Sequence, residues 1–107
     1  MMESHVTHNN KSDNSGRPAG GCTHGRGFTI AWQDGPLGTG EDRIEPNGAF
    51  VGDVITAAIG RLEFYQASVF NCEENAEALA NLYDARYVLR ERTRNREARG
   101  VEGTHEQ

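Results

Sequence analysis

The sequence predicts an α+β fold: a short N-terminal strand or β-hairpin, followed by a long antiparallel hairpin of two helices. Apolar and polar residues alternate from Phe28 to Gln33, which is the period of a half-buried strand. Residues 49–69 carry apolar side chains at intervals of three and four, and this spacing resumes after Asn71 and continues to near Gly100. The few residues between the two stretches force the predicted helices back against each other.

Turn-forming residues end the predicted strand at residues 34–36 (Asp-Gly-Pro). The glycine-rich loop of residues 34–49 has room for one more short strand around Arg43 to Glu45. A lone strand or hairpin is not stable by itself, so we expect it to pack on the helices or to pair with another chain.

Each predicted helix has one apolar stripe. In the first it consists of Val51, Ile55, Ala58, Leu62, Tyr65 and Val69. In the second, Asn71 and Glu74 have capping-box spacing, and the stripe consists of Ala76, Leu79, Leu82, Tyr83, Arg86 and Leu89. Because a single hairpin seam buries little apolar surface, we expect a homo-oligomer built through the helices.

Residues 1–27 contain no aromatic side chain and are rich in Gly, His, Asn and Ser. They therefore predict a disordered tail, and residues 28–107 a single domain. The tail histidines His5, His8 and His24 are irregularly spaced, so we expect no metal and no cofactor there. Cys22 and Cys72 lie too far apart in sequence to indicate a disulfide framework or a zinc site.

The 107 residues carry a formal net charge of −5 and contain no apolar run long enough for a membrane span or signal peptide. We therefore expect a cytoplasmic protein with no membrane contact. Six of the 11 basic residues lie between Arg86 and Arg99, and all six are arginines. Planar guanidinium groups favour recognition of phosphate or carboxylate, although a solvated helix end has the same pattern.

No enzymatic motif is recognisable. The histidines lie in the two tails, no serine or cysteine stands in a nucleophile motif, and Glu73 and Glu74 suit the positive end of a helix dipole. We therefore expect a binding protein rather than an enzyme.

Four residues carry groups suited to a nucleotide: an aromatic ring to stack a base, a carboxamide to read its edge, and two guanidiniums for a diphosphate. They are Tyr65, Asn75, Arg92 and Arg96. Asn75 and Arg92 are separated by about 25 Å of helix, so they can meet only if two chains pack antiparallel. Three alternatives stay open: a core tyrosine with solvated arginines, a nucleic-acid binder whose affinity falls steeply with salt, and an adaptor that docks a partner protein.

Six short segments form a distinctive combination of motifs: Trp32–Pro36, Asn47–Gly48, Arg61–Gln66, Glu74–Ala76, Arg92–Thr93 and Arg96–His105. In these segments the chain resembles the phage anti-Thoeris proteins, which are helical-hairpin sponges that sequester a cyclic ADP-ribose isomer used as a bacterial immune signal. The resemblance covers roughly residues 28–105. It implies that Tyr65, Asn75, Arg92 and Arg96 hold glycocyclic ADP-ribose between protomers of a dimer or hexamer in the infected cell, without degrading it.

The chain departs from the family at three places. Tyr65 stands where the family has phenylalanine, and Ala80 and Asn81 replace threonine and lysine. Glu73 stands where the family usually has arginine, and its carboxylate would repel the cyclic oligonucleotides that related hexamers bind.

Overall fold

The computed structural model describes residues 5–105. Its elements in chain order are β1 (Val6–Ser12), β2 (Pro18–Gly25), β3 (Phe28–Ala31), a 3-10 turn (Gly40–Asp42), α1 (Val51–Gln66) and α2 (Glu73–Ala98). This order confirms the α+β class, with a sheet followed by two helices. The described residues divide into two compact units, one from residues 5–50 and 101–105 and the other from Val51–Gly100.

The three strands form one antiparallel sheet in the order β1-β2-β3, in which Gly25 of β2 lies opposite both Val6 and Phe28. The turn between β1 and β2 is held by Asp13, whose carboxylate accepts hydrogen bonds from the backbone N–H groups of Ser15 (2.8 Å) and Arg17 (3.0 Å). These bonds, that of Arg17 above all, lower the pKa of Asp13.

The prediction of a disordered tail is wrong for residues 6–25, which form β1 and β2. Its boundary at residue 28 falls between two strands of one sheet. The reason is that β1 is exposed along all seven residues and is held by backbone hydrogen bonds to β2, whereas a hydrophobic pattern reveals only strands that bury apolar side chains. Thr23 of β2 is the buried polar residue of this sheet, and its hydroxyl accepts a hydrogen bond from Trp32 Nε1 (2.8 Å).

The short strand for which the loop has room around Arg43 to Glu45 does not form; residues 43–45 follow the 3-10 turn, and the backbone N–H of Ile44 donates to the carbonyl of Leu37 (2.7 Å). The loop is ordered instead by side-chain amides. Gln33 Oε1 accepts from the backbone N–H of Asn47 (2.9 Å), and Asn47 Oδ1 accepts from that of Asp34 (2.8 Å). Hydrogen bonds between side-chain amides and the backbone therefore order this glycine-rich loop, which forms no fourth strand.

The two predicted helices are confirmed. Ile59 of α1 and Leu79 of α2 are the buried apolar side chains, at 2% and 8% exposure. The predicted first stripe is wrong at Val51, Ala58 and Val69, which are exposed, and Val69 lies beyond α1. The buried face of α1 contains Ile59. Ile59 lies four residues after Ile55, which is also a helical interval.

The predicted cap at Asn71 is wrong by one residue. The N-cap of α2 is Cys72, whose Sγ accepts a hydrogen bond from the backbone N–H of Asn75 (3.4 Å). Asn71 instead donates from Nδ2 to the Ser68 carbonyl (2.8 Å). Both cysteines have free thiols.

Within residues 5–105, no helix is both long and apolar enough to cross a lipid bilayer. Over the same residues, no three His, Cys, Asp or Glu side chains are grouped so that they could hold a metal ion.

Candidate ligand-binding site

The four predicted ligand residues lie at two different places in the helical unit. Tyr65 is the penultimate residue of α1 and Asn75 the third residue of α2, so both lie beside the bend between the helices. Arg92 and Arg96 lie near the C-terminal end of α2. Helix geometry puts about 25 Å between Asn75 and Arg92, so one chain does not bring all four residues together.

The bend connects Tyr65 to Asn75 through a short series of hydrogen bonds. Ser68 Oγ donates to the carbonyl of Tyr65 (2.6 Å) and accepts from the backbone N–H of Phe70 (3.1 Å). Asn75 Nδ2 donates to the carbonyl of Phe70 (3.2 Å). The carboxamide of Asn75 therefore has one amide hydrogen committed to the bend, and its oxygen and second hydrogen are suited to the edge of a base.

Two residues that the sequence analysis did not assign to the site, Arg61 and Gln66, contact the groups beside the bend. Gln66 bonds the peptide groups of Cys72 with both ends of its amide. The guanidinium carbon of Arg61 lies 4.9 Å from the centroid of the Tyr65 ring and 5.0 Å from that of Phe64. The i, i+4 spacing of Arg61 and Tyr65 on a predicted helix is the signal that could have found this contact.

The two arginines at the far end of α2 have different environments. Arg92 is exposed, whereas Arg96, one turn later, is buried at 9% exposure. Both are cations near the negative end of the helix dipole, which is a favourable position. An exposed guanidinium such as that of Arg92 can reach a ligand or another chain directly, whereas little of Arg96 is accessible to solvent.

A hydrogen bond between side chains joins the last turn of α1 to α2. Tyr83 OH on α2 donates to Glu63 Oε2 on α1 (2.8 Å). This bond, followed by burial and the negative charge of Glu63, raises the pKa of Tyr83. It also links the side chains of the two helices directly.

The segment after α2 belongs to the same unit as the sheet. Arg43 makes a bidentate ion pair with Glu102 (2.6 and 2.9 Å), and the backbone N–H of Gly38 donates to the carbonyl of Gly103 (2.8 Å). The C-terminal motif that resembles the anti-Thoeris proteins is therefore bound to the loop that follows β3.

No family model matches the chain. It is 44% identical over 82 residues to Thoeris anti-defense 1 of Bacillus phage SBSphiJ7, and the match covers 77% of this chain and 55% of that protein. The chain thus spans about half the length of this curated relative.

Proposed function

This chain belongs to the family of phage Thoeris anti-defense proteins, and from that premise we propose that it blocks Thoeris immunity by sequestering a nucleotide signal. The signal is glycocyclic ADP-ribose, bound in the host cytoplasm without being degraded. The 44% identity to Thoeris anti-defense 1 carries the proposal. The aromatic ring and the carboxamide beside the bend supply the chemistry that it requires.

Each residue has one task in this proposal. Tyr65 stacks the base, Asn75 hydrogen-bonds its edge, and Arg92 and Arg96 bind the diphosphate. Since about 25 Å separates the two pairs within one chain, the site is completed by a second protomer packed antiparallel. Exposed apolar side chains on α2, Tyr87 at 61% and Val88 at 63%, support such an assembly.

Sequestration needs tight binding and slow release, with no turnover. Several guanidinium contacts to phosphate in a site closed by two chains are compatible with a nanomolar Kd, about −12 kcal/mol. Glu73 and Asn81 stand at two of the positions that differ from the family, and the carboxylate of Glu73 disfavours binding of additional cyclic oligonucleotides.

The test is to mix the purified protein with cyclic ADP-ribose isomers and cyclic di- and trinucleotides, then filter, denature the retained protein by heat and identify the released molecules. Recovery of one intact isomer supports a sponge. A degraded product would indicate an enzyme, and an empty retentate for every compound would favour the adaptor alternative.

A further inference from the structure

The guanidinium of Arg61 lies close to two aromatic rings of α1. Arg61 lies one turn before Tyr65 on α1, and its guanidinium carbon is 4.9 Å and 5.0 Å from the ring centroids of Tyr65 and Phe64. The two ring centroids are 6.2 Å apart. One exposed cation therefore contacts both aromatic rings at this end of α1.

The N–H donors of this guanidinium suit an anion. A guanidinium holds its N–H groups in one plane, and two of them at a time match the oxygens of a phosphate. Ion pairs among the described residues include those of Arg17 with Asp13, Arg43 with Glu102 and Arg94 with Glu91. Arg61 takes part in none of these.

At this end of the hairpin, Arg61 is the basic residue closest in sequence to the start of α2. Residues 62–85 contain no lysine or arginine, while Glu73 and Glu74 occupy the first turn of α2. An anionic ligand whose base stacks on Tyr65 would meet these carboxylates, and Arg61 is the nearest cation in sequence that can offset them.

Arg86 and Tyr83 form a similar contact elsewhere in the hairpin, but their surroundings differ. The Arg86 guanidinium carbon lies 5.7 Å from the Tyr83 ring centroid. The Tyr83 hydroxyl donates to Glu63, so a carboxylate adjoins that ring. This pair provides an internal control for the general effect of an arginine stacked on a tyrosine.

We infer that Arg61 is a ligand-binding residue whose guanidinium contacts an anionic group of the nucleotide beside the base stacked on Tyr65. The inference rests on the proposed function. It assigns to one turn of α1 both the stacking surface and a positive charge, in addition to the arginines near the end of α2.

The test measures the Kd of glycocyclic ADP-ribose at low and high salt for the wild type and for Arg61→Gln, Arg61→Lys and Arg86→Gln. Arg61→Gln should raise Kd about ten- to a hundredfold, which is the usual effect of losing a hydrogen bond to a charged group. Its Kd should also depend less on salt than that of the wild type. Arg61→Lys keeps the charge without the planar edge and should give an intermediate Kd, and Arg86→Gln should stay within about twofold of wild type.

Urea unfolding of each variant separates loss of binding from loss of fold. If the wild type binds the nucleotide and Arg61→Gln binds it equally well, this inference is wrong and the proposed function stands. An equal loss in Arg86→Gln would also overturn it, because the effect would then be one of net charge. If the wild type binds no cyclic ADP-ribose isomer, the proposed function fails and the inference fails with it.

Discussion

The side-chain amide of Gln66 makes two hydrogen bonds to Cys72: Oε1 accepts from the backbone N–H (2.9 Å) and Nε2 donates to the carbonyl (3.0 Å). Gln66 is the last residue of α1, and Cys72 is the N-cap of α2. One side chain thus joins the end of the first helix to the start of the second. It stabilises the bend beside which Tyr65 and Asn75 lie.

Replacing Gln66 should loosen this bend. Gln66→Ala removes both hydrogen bonds and should lower the free energy of unfolding by about 1–2 kcal/mol, measured by urea denaturation. Gln66→Glu keeps the acceptor for the Cys72 N–H but cannot donate to the carbonyl, so it should be destabilised as well. Equal stability of wild type and Gln66→Ala would show that the bend does not depend on this side chain.

Asn75→Ala should abolish binding of glycocyclic ADP-ribose while leaving the protein folded. The substitution removes the group that reads the base and one hydrogen bond to Phe70, which is worth about 1 kcal/mol. The matched control is Asn71→Ala, which removes the hydrogen bond to Ser68 in the same bend. Calorimetry should find binding lost in the first variant and kept in the second, and unfolding of Asn75→Ala would invalidate the site assignment.

The two arginines of α2 should respond differently to substitution. Arg92→Ala should abolish binding with a change in unfolding free energy within about 0.5 kcal/mol, because Arg92 is exposed. Arg96→Ala should abolish binding and also destabilise the fold by about 1–3 kcal/mol, because Arg96 is buried. Arg90→Ala, also exposed on α2, controls for net charge. Binding by Arg92→Ala at wild-type affinity would remove this residue from the site.

Binding should require an assembled oligomer. When the protein is diluted, sedimentation should find monomers at the same concentrations at which the ligand is released, since each site takes residues from two chains. A monomer that still binds the nucleotide would contradict the shared site.

Gly103→Ala should disrupt the segment that follows α2. Gly103 has a φ of +81°, and a Cβ there would lie 2.3 Å from the carbonyl oxygen of Gly38. The control is Gly100→Ala, where φ is +76° and no atom lies within 4 Å of the added Cβ. Thermal unfolding should find Gly100→Ala less stable by about 1–2 kcal/mol, the cost of a left-handed alanine, and Gly103→Ala less stable still. Equal losses would mean that the contact with Gly38 is dispensable.

The sequence by itself determined the helical hairpin, because apolar spacing of three and four follows directly from helix geometry. The bounds of the two predicted helices placed Tyr65 and Asn75 beside the bend and the two arginines at the far end of the second helix. The family resemblance found in the sequence is borne out by the similarity to Thoeris anti-defense 1. The assignment of the four side chains to a ligand site remains a prediction.

Only the tertiary structure decided the order of strand β1 and the polar contacts around the bend. Strand β1 has no buried side chain, so no hydrophobic pattern could reveal it, and its order comes from backbone pairing with β2 and the turn at Asp13. The cap at Cys72 depends on where the chain ends one helix and begins the next, and the contact of Arg61 with two rings depends on side-chain conformations within α1. Apolar periodicity records which face of a segment is buried, whereas backbone pairing and polar contacts depend on which segments meet in space.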